Sequence, residues 1–184
     1  MLEITIPKIE GFNDLTGEFV TVSKETTLLL EHSLLSMSKW ESKWHKPFLD
    51  TREEHSIEES IDYIRCMTIS PKNVDHELYR NIPQNIMDKI TNYIDDSMTA
   101  TKFKESNTSN GVSKIVTSEI IYYWMITYNI PFDPCEKWHL NRLTTLIRVC
   151  SEKNSPQKKM SKSEIMEQNR RLNEQRKAQM NSKG

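Results

Sequence analysis

The stretch TTLLLEHSLLSMSKWESKWHKPFL, residues 26–49, changes period halfway along. Thr26 to Glu31 form a compact apolar run of strand length. From His32 onward, Leu34, Leu35, Met37, Trp40 and Trp44 recur at spacings of three and four, as on a helix with one apolar stripe, until Pro47 stops the run. A strand that hands over to a helix here sets the fold class, with strands before it and helices after it. Upstream, Leu2, Ile4 and Ile6 alternate with polar residues, and EFVTV (18–22) reads as another strand. Gly11, Asn13, Asp14 and Gly17 mark turns between them. The spacing predicts one antiparallel sheet built from 2–6, 18–22 and 26–31, which needs helices over its apolar face.

Downstream, Ser56 and Glu59 form a capping box ahead of a stripe of Ile57, Ile61, Ile64 and Met67, predicting a helix over 57–68. Pro83 opens another, with Ile86, Ile90, Tyr93 and Ile94 on one face. Residues 101–114, containing NTSNG, read as an exposed loop. The helix over 118–129 is apolar nearly all round, which predicts that it lies at the centre. Asp133, Pro134 and Glu136 fit the N-cap, first and third positions of a helix over 134–150. Ser161 to Glu164 could cap a last helix whose apolar residues are almost confined to Ile165, Met166 and Leu172. No internal repeat is present. The expected class is α+β: a small N-terminal three-stranded antiparallel sheet, a mainly α-helical body and a polar C-terminal helix. The expected division is a β region (1–32) packed on the body, a helical core domain (33–154) and a basic tail (155–184), flexible or a solvated helix.

The 184 residues carry a formal charge of -1 that conceals an asymmetry. Residues 151–184 hold nine basic and four acidic side chains, about +5, which leaves about −6 on 1–150. No apolar run approaches the roughly 18 residues of a membrane-spanning helix. MLEITIPKIE lacks the basic and apolar regions of a secretory signal. Three cysteines, Cys66, Cys135 and Cys150, suit free thiols in a reducing compartment. The cytoplasm is therefore expected, with no membrane partner.

Motifs for catalysis are absent. There is no GxSxG, GxxxxGK[ST] or GxGxxG, and acidic pairs such as Glu58 and Glu59 are adjacent, so the two side chains point apart. Cys135 and His139 share a helix face but lack the further ligands zinc needs. No catalytic residue, cofactor or metal is expected. Helices 118–129 and 134–150 have the outline of a helix-turn-helix. Only Lys137, Arg142 and Arg148 on the second are basic, however, and an acidic body repels phosphate, which argues against nucleic acid. Trp40 and Trp44 sit among Lys39, Lys43 and Lys46, an amphipathic mixture suited to the rim of a protein interface.

Five stretches together carry a resemblance: LLLEHSLLSMSKWESKWHKPFL (28–49), EESIDYIRCMT (58–68), TNYIDDSMTATKF (91–103), SEIIYYWMITYNIPFDPCEKWHLNRLTTLIRVC (118–150) and KKMSKSEIMEQNRRLNEQRKAQ (158–179). The chain resembles the tail assembly chaperones encoded in the tail module of siphovirus-like tailed bacteriophages, from about Leu28 to Gln179. The resemblance implies a non-enzymatic protein of the infected host's cytoplasm. It would bind the tape-measure protein, assist tail-tube assembly, possess some capacity for self-association, and be absent from the mature virion. Such chaperones can occur in a short and a frameshift-extended form. Trp40, Trp44, Lys46 and Phe48 are then expected at the contact surface. Arg170, Arg171, Arg176 and Lys177 would form a second arm, and Trp138, Asn141 and Arg142 a buried junction. The competing readings are a structural tail or baseplate component retained in the virion and a small DNA-binding regulator.

Overall fold

A computed structural model describes residues 1–13, 17–50, 52, 54–103, 115–154 and 162–180. Five strands and eight helices follow in the order β1 (Leu2–Ile6), β2 (Ile9–Asn13), β3 (Glu18–Ser23), β4 (Thr26–Leu30), α1 (Leu34–Trp44), α2 (Ile57–Met67), β5 (Thr68–Ser70), α3 (His76–Arg80), α4 (Gln84–Asp95), α5 (Ser118–Thr127), α6 (Phe132–Cys135), α7 (Leu140–Asn154) and α8 (Lys162–Met180). The fold is α+β with a three-stranded antiparallel sheet, as the sequence predicts.

The membership of that sheet differs. Its order is β1-β4-β5, while β3 pairs with β2 as a separate two-stranded ladder. β1 and β4 run in register from Leu2 against Leu30 to Ile6 against Thr26, which puts Ile4, Ile6, Leu28 and Leu30 on one buried face. The stretch read as turns around Gly11 and Asn13 is strand, with Phe12 opposite Phe19. β5, only three residues long, follows α2 directly, where the helical stripe hides it in the sequence. Most of the expected loop 101–114, and Ser161, lie outside the described residues.

Met1–Ser151 form one compact unit and Glu152–Gly184 a second. The β region and the helical core thus belong to the same unit. Its interior has two clusters. One gathers the sheet face with Ile61, Ile64, Met67, Leu78 and Ile90, and the other gathers Ile121, Met125, Leu140, Leu143 and Ile147. α1 serves both: Trp40 belongs to the first, Leu34 and Met37 to the second.

Where β4 meets α1, the chain is tied to the start of α7. Ser33 bridges to His139, Leu140 N donates to the His32 carbonyl at 2.7 Å, and Leu35 N donates to the Glu136 carbonyl at 3.2 Å. With these bonds made, Glu136 caps one helix and residues 137–139 form a turn, a bend and the bridge before the next. The helix expected over 134–150 is therefore split into α6 and α7, with Asp133 in an extended conformation. His139 Nε2 donates to the Tyr93 carbonyl at 2.9 Å, and Asn141 Nδ2 donates to the carbonyls of Ile94 and Asp96. His32 Nδ1 and the Tyr63 hydroxyl are hydrogen-bonded at 2.6 Å.

Two outcomes follow. Trp40 is fully buried and its Nε1 donates to the Glu59 carbonyl at 2.8 Å. Trp40→Ala should cost about 3–5 kcal/mol in urea unfolding; Trp40→Phe, which loses mainly the hydrogen bond, should cost about 1–3 kcal/mol. The His32 imidazole is lowered from 6.5 to about 3, first by burial and then by His139, whose ring lies 5.0 Å away. Its stabilising contribution is complete above 6.5 and is lost as pH falls toward about 3, because the unfolded chain binds the proton first. The melting temperature should therefore decline already between about pH 6.5 and 4.5, before ordinary carboxylates titrate. His32→Gln should flatten that interval.

A candidate protein-binding surface on α5

The contact surface expected from sequence at Trp40, Trp44, Lys46 and Phe48 is the seam between α1 and α2. Trp40 is in the core. Trp44, half-buried, donates from Nε1 to Asp62 Oδ2 at 3.0 Å. Lys46 is exposed along its stem, but its ammonium pairs with Glu59 Oε1 at 2.8 Å. Phe48 stacks on Tyr63 with ring centroids 3.9 Å apart. The lysine-tryptophan mixture reads as a rim because it closes over two acids of α2 that a window on α1 cannot reveal.

Those acids are held ionised. Hydrogen bonds from the Lys46 ammonium and the Ser56 N–H bring Glu59 down to about 2. Burial pushes Asp62 upward, but hydrogen bonds from Lys43 and Trp44, with the charges of Arg65 and Lys43, outweigh it and leave its carboxyl below the usual value. A third buried acid, Glu41, accepts from Phe48 N at 2.9 Å and from Ser118 N at 2.8 Å, so it places a carboxylate at the start of α5.

α5 is where the structure departs most from expectation. Read as central, it lies at the surface. Only Ser118, Ile121 and Met125, on one face, are buried. The opposite face presents Tyr123 at 64% exposure and Ile126 at 62%. Tyr122, a helical neighbour of Ile126, packs edge-on against Phe132 with centroids 5.2 Å apart, and Phe132 is itself 44% exposed. The Tyr122 hydroxyl donates to Glu136 Oε2 at 3.1 Å, which fixes this ring. The paired charges of Asp133 and Lys137 flank it. Apolar nearly all round but covered on one face, α5 presents Tyr123 and Ile126 to solvent between the exposed Glu119 and Thr127, a surface of the kind that suits another protein. The sequence signal was its run of apolar residues from Ile120 to Ile126, which does not say which face is covered.

The remaining expectations fall as follows. Of the expected buried junction, Trp138 and Asn141 are half-buried and Arg142 is exposed: Asn141 ties α7 to the end of α4, and the Arg142 guanidinium lies 4.3 Å from the Trp138 ring. Arg148 lies 3.8 Å from the Phe103 ring, so these α7 arginines are packed on aromatic rings instead of forming a reading face. On α8, described by itself, Arg170 pairs with Glu174 and Arg171 with Glu167, while Arg176 and Lys177 are exposed. Among the described residues no group of three or more His, Cys, Asp and Glu side chains could hold a metal, and no helix is long and apolar enough to cross a membrane. Comparison with protein-family models, curated proteins and solved structures yields no match to this chain.

A Tyr123→Lys, Ile126→Lys variant should change unfolding free energy by no more than about 0.5 kcal/mol per site, since lysine is a good helix former and neither side chain is buried. It should also bind less of an apolar dye such as anilinonaphthalene sulfonate. Met125→Lys, on the covered face, should unfold the protein.

Proposed function

We propose that this chain is a non-enzymatic protein whose work is to bind another protein. More particularly, we propose a tail assembly chaperone of a tailed bacteriophage, acting in the host cytoplasm on the tape-measure protein and assisting the tail tube to form around it. The observation that carries the reading is the outward face of α5, Tyr123, Ile126 and Phe132, left exposed on an otherwise apolar helix. A tape-measure protein of the kind the resemblance implies is a long helical chain with apolar stripes that aggregate if uncovered. An apolar strip on a helix is the complement such a stripe requires. α8 adds an exposed basic helix as a second arm, in which Arg176 and Lys177 have no ion-pair partner among the described residues. The five resembling stretches support the particular family, and the engaged arginines of α7 weigh against a DNA-binding regulator.

The test is co-expression with the tape-measure protein encoded in the same tail-gene module. The wild-type chain should keep it soluble and co-purify with it. Tyr123→Lys, Ile126→Lys should weaken the complex by roughly tenfold or more, the loss expected for central apolar anchors. If the tape-measure protein is equally soluble without this chain, the proposal fails. Mass spectrometry of purified virions separates it from the structural-component reading, which requires the chain at stoichiometric levels.

A further inference from the structure

A cleft of about 580 Å³ opens on the first unit beside β5; Tyr122, Tyr123, Ile126 and Phe132 of the α5 surface do not line it, and Lys137, which flanks that surface, does. Its apolar lining comes from Leu35, Met67 and Ile69, and Ile69 is 46% exposed. Cys66 adds to this wall, its thiol pushed up chiefly by burial and so kept uncharged. Lysines stand in the lining from three separate elements or connections: Lys39 on α1, Lys72 after β5, and Lys137 after α6. Lys137 is paired with Asp133, but Lys39 and Lys72 have no ion-pair partner among the described residues. The carboxylate that also lines the cleft, Glu31, is already occupied: it accepts from the Tyr93 hydroxyl at 2.7 Å and pairs with the Met1 ammonium at 2.9 Å. On a body of net negative charge, this apolar cleft is therefore positive.

β5 supplies the second element. It is an edge strand of the β1-β4-β5 sheet, and its outer side has no strand partner among the described residues. Its pairing with β4 skips a residue, Leu29 lying opposite Ser70 and Leu30 opposite Thr68, which leaves Ile69 as a bulge turned to the surface. An unpaired edge next to an apolar cleft is a seat for an added strand, with main-chain hydrogen bonds giving affinity and alternate side chains entering the cleft. A three-residue edge gives few such bonds, so the lysines must supply the rest.

We propose that this cleft binds an extended segment of a partner protein whose cleft-facing positions, every second residue, alternate between apolar and acidic, added as a fourth strand along β5 with its carboxylates on Lys39 and Lys72. The apolar side chains rest on Leu35, Met67 and Ile69. This assignment does not rest on the identity of the α5 partner.

The probe is a fluorescein-labelled octapeptide with blocked ends, Thr-Val-Thr-Glu-Thr-Val-Thr-Glu, which puts valine and glutamate on one face of a strand; it is titrated with the full chain and followed by fluorescence anisotropy. Saturable binding is expected, weakened roughly tenfold by Lys39→Glu, Lys72→Glu. Both lysines are exposed, so that variant should keep the wild-type melting curve. The same octapeptide with lysine in place of glutamate should not bind, and N-methylation of alternate amides should abolish binding of the acidic one. Absence of saturation by about 1 mM, equal affinity for the Lys39→Glu, Lys72→Glu variant, or equal affinity of the N-methylated peptide would each overturn the proposal. The Tyr123→Lys, Ile126→Lys variant should bind the probe as the wild type does; loss of binding there would move the peptide to α5 and also overturn it.

Discussion

A carboxylate removed from water must be paired, and of the four buried among the described residues, Glu31, Glu41, Glu59 and Asp62, the last three join α1 to its neighbours. Their partners dictate the arrangement of the first unit. Asp62 collects Lys43, Trp44 and Arg65; Glu59 collects Lys46 while closing the capping box of its own helix; Glu41 reaches across to the first amide of α5. α2 and α5 are thereby fixed on two different faces of one eleven-residue helix. The hydrophobic contacts set how much is gained by packing, whereas these bonds set which helix packs where. They also explain why Lys43 and Trp44 of α1, and Lys46 just beyond it, are occupied.

What could be read in the chain divides along the same line. The α+β class, the Ser56-Glu59 capping box and the helices beginning near Pro83 and Ser118 were legible because each depends on residues within one turn or one period. The strand partners were not. Whether 18–22 joins β4 or folds back on β2 depends on register between distant segments, and β5 is too short to carry a period of its own. The break between α6 and α7 was equally hidden, because the main-chain bonds that go with it reach back to His32 and Leu35. For the candidate site, the sequence identified an apolar helix but not that its outer face is bare. Trp40 and Trp44 misled because burial of an indole beside lysines looks, from one helix, like an interface rim.

Two surfaces of contrasting chemistry emerge on the first unit. The outward strip of α5 is aromatic and aliphatic and suits another helix; the cleft beside β5 is lysine-rimmed with a strand edge and suits an extended acidic segment. The exposed α8 offers a third kind of contact, a polar helix with alternating charge.

The division of the interior into two clusters that share α1 also bears on how the chain is made. The first cluster uses no residue beyond Ile94, so it can be completed while the rest of the polypeptide is still being translated. Leu34 and Met37 then wait on the other side of α1 for Ile121, Leu143 and Ile147. During that interval Glu41 lacks the Ser118 amide that it eventually holds. In chain order, then, every residue of the first wall of α1 precedes α5, and the second wall is complete only once α5 and α7 have been made.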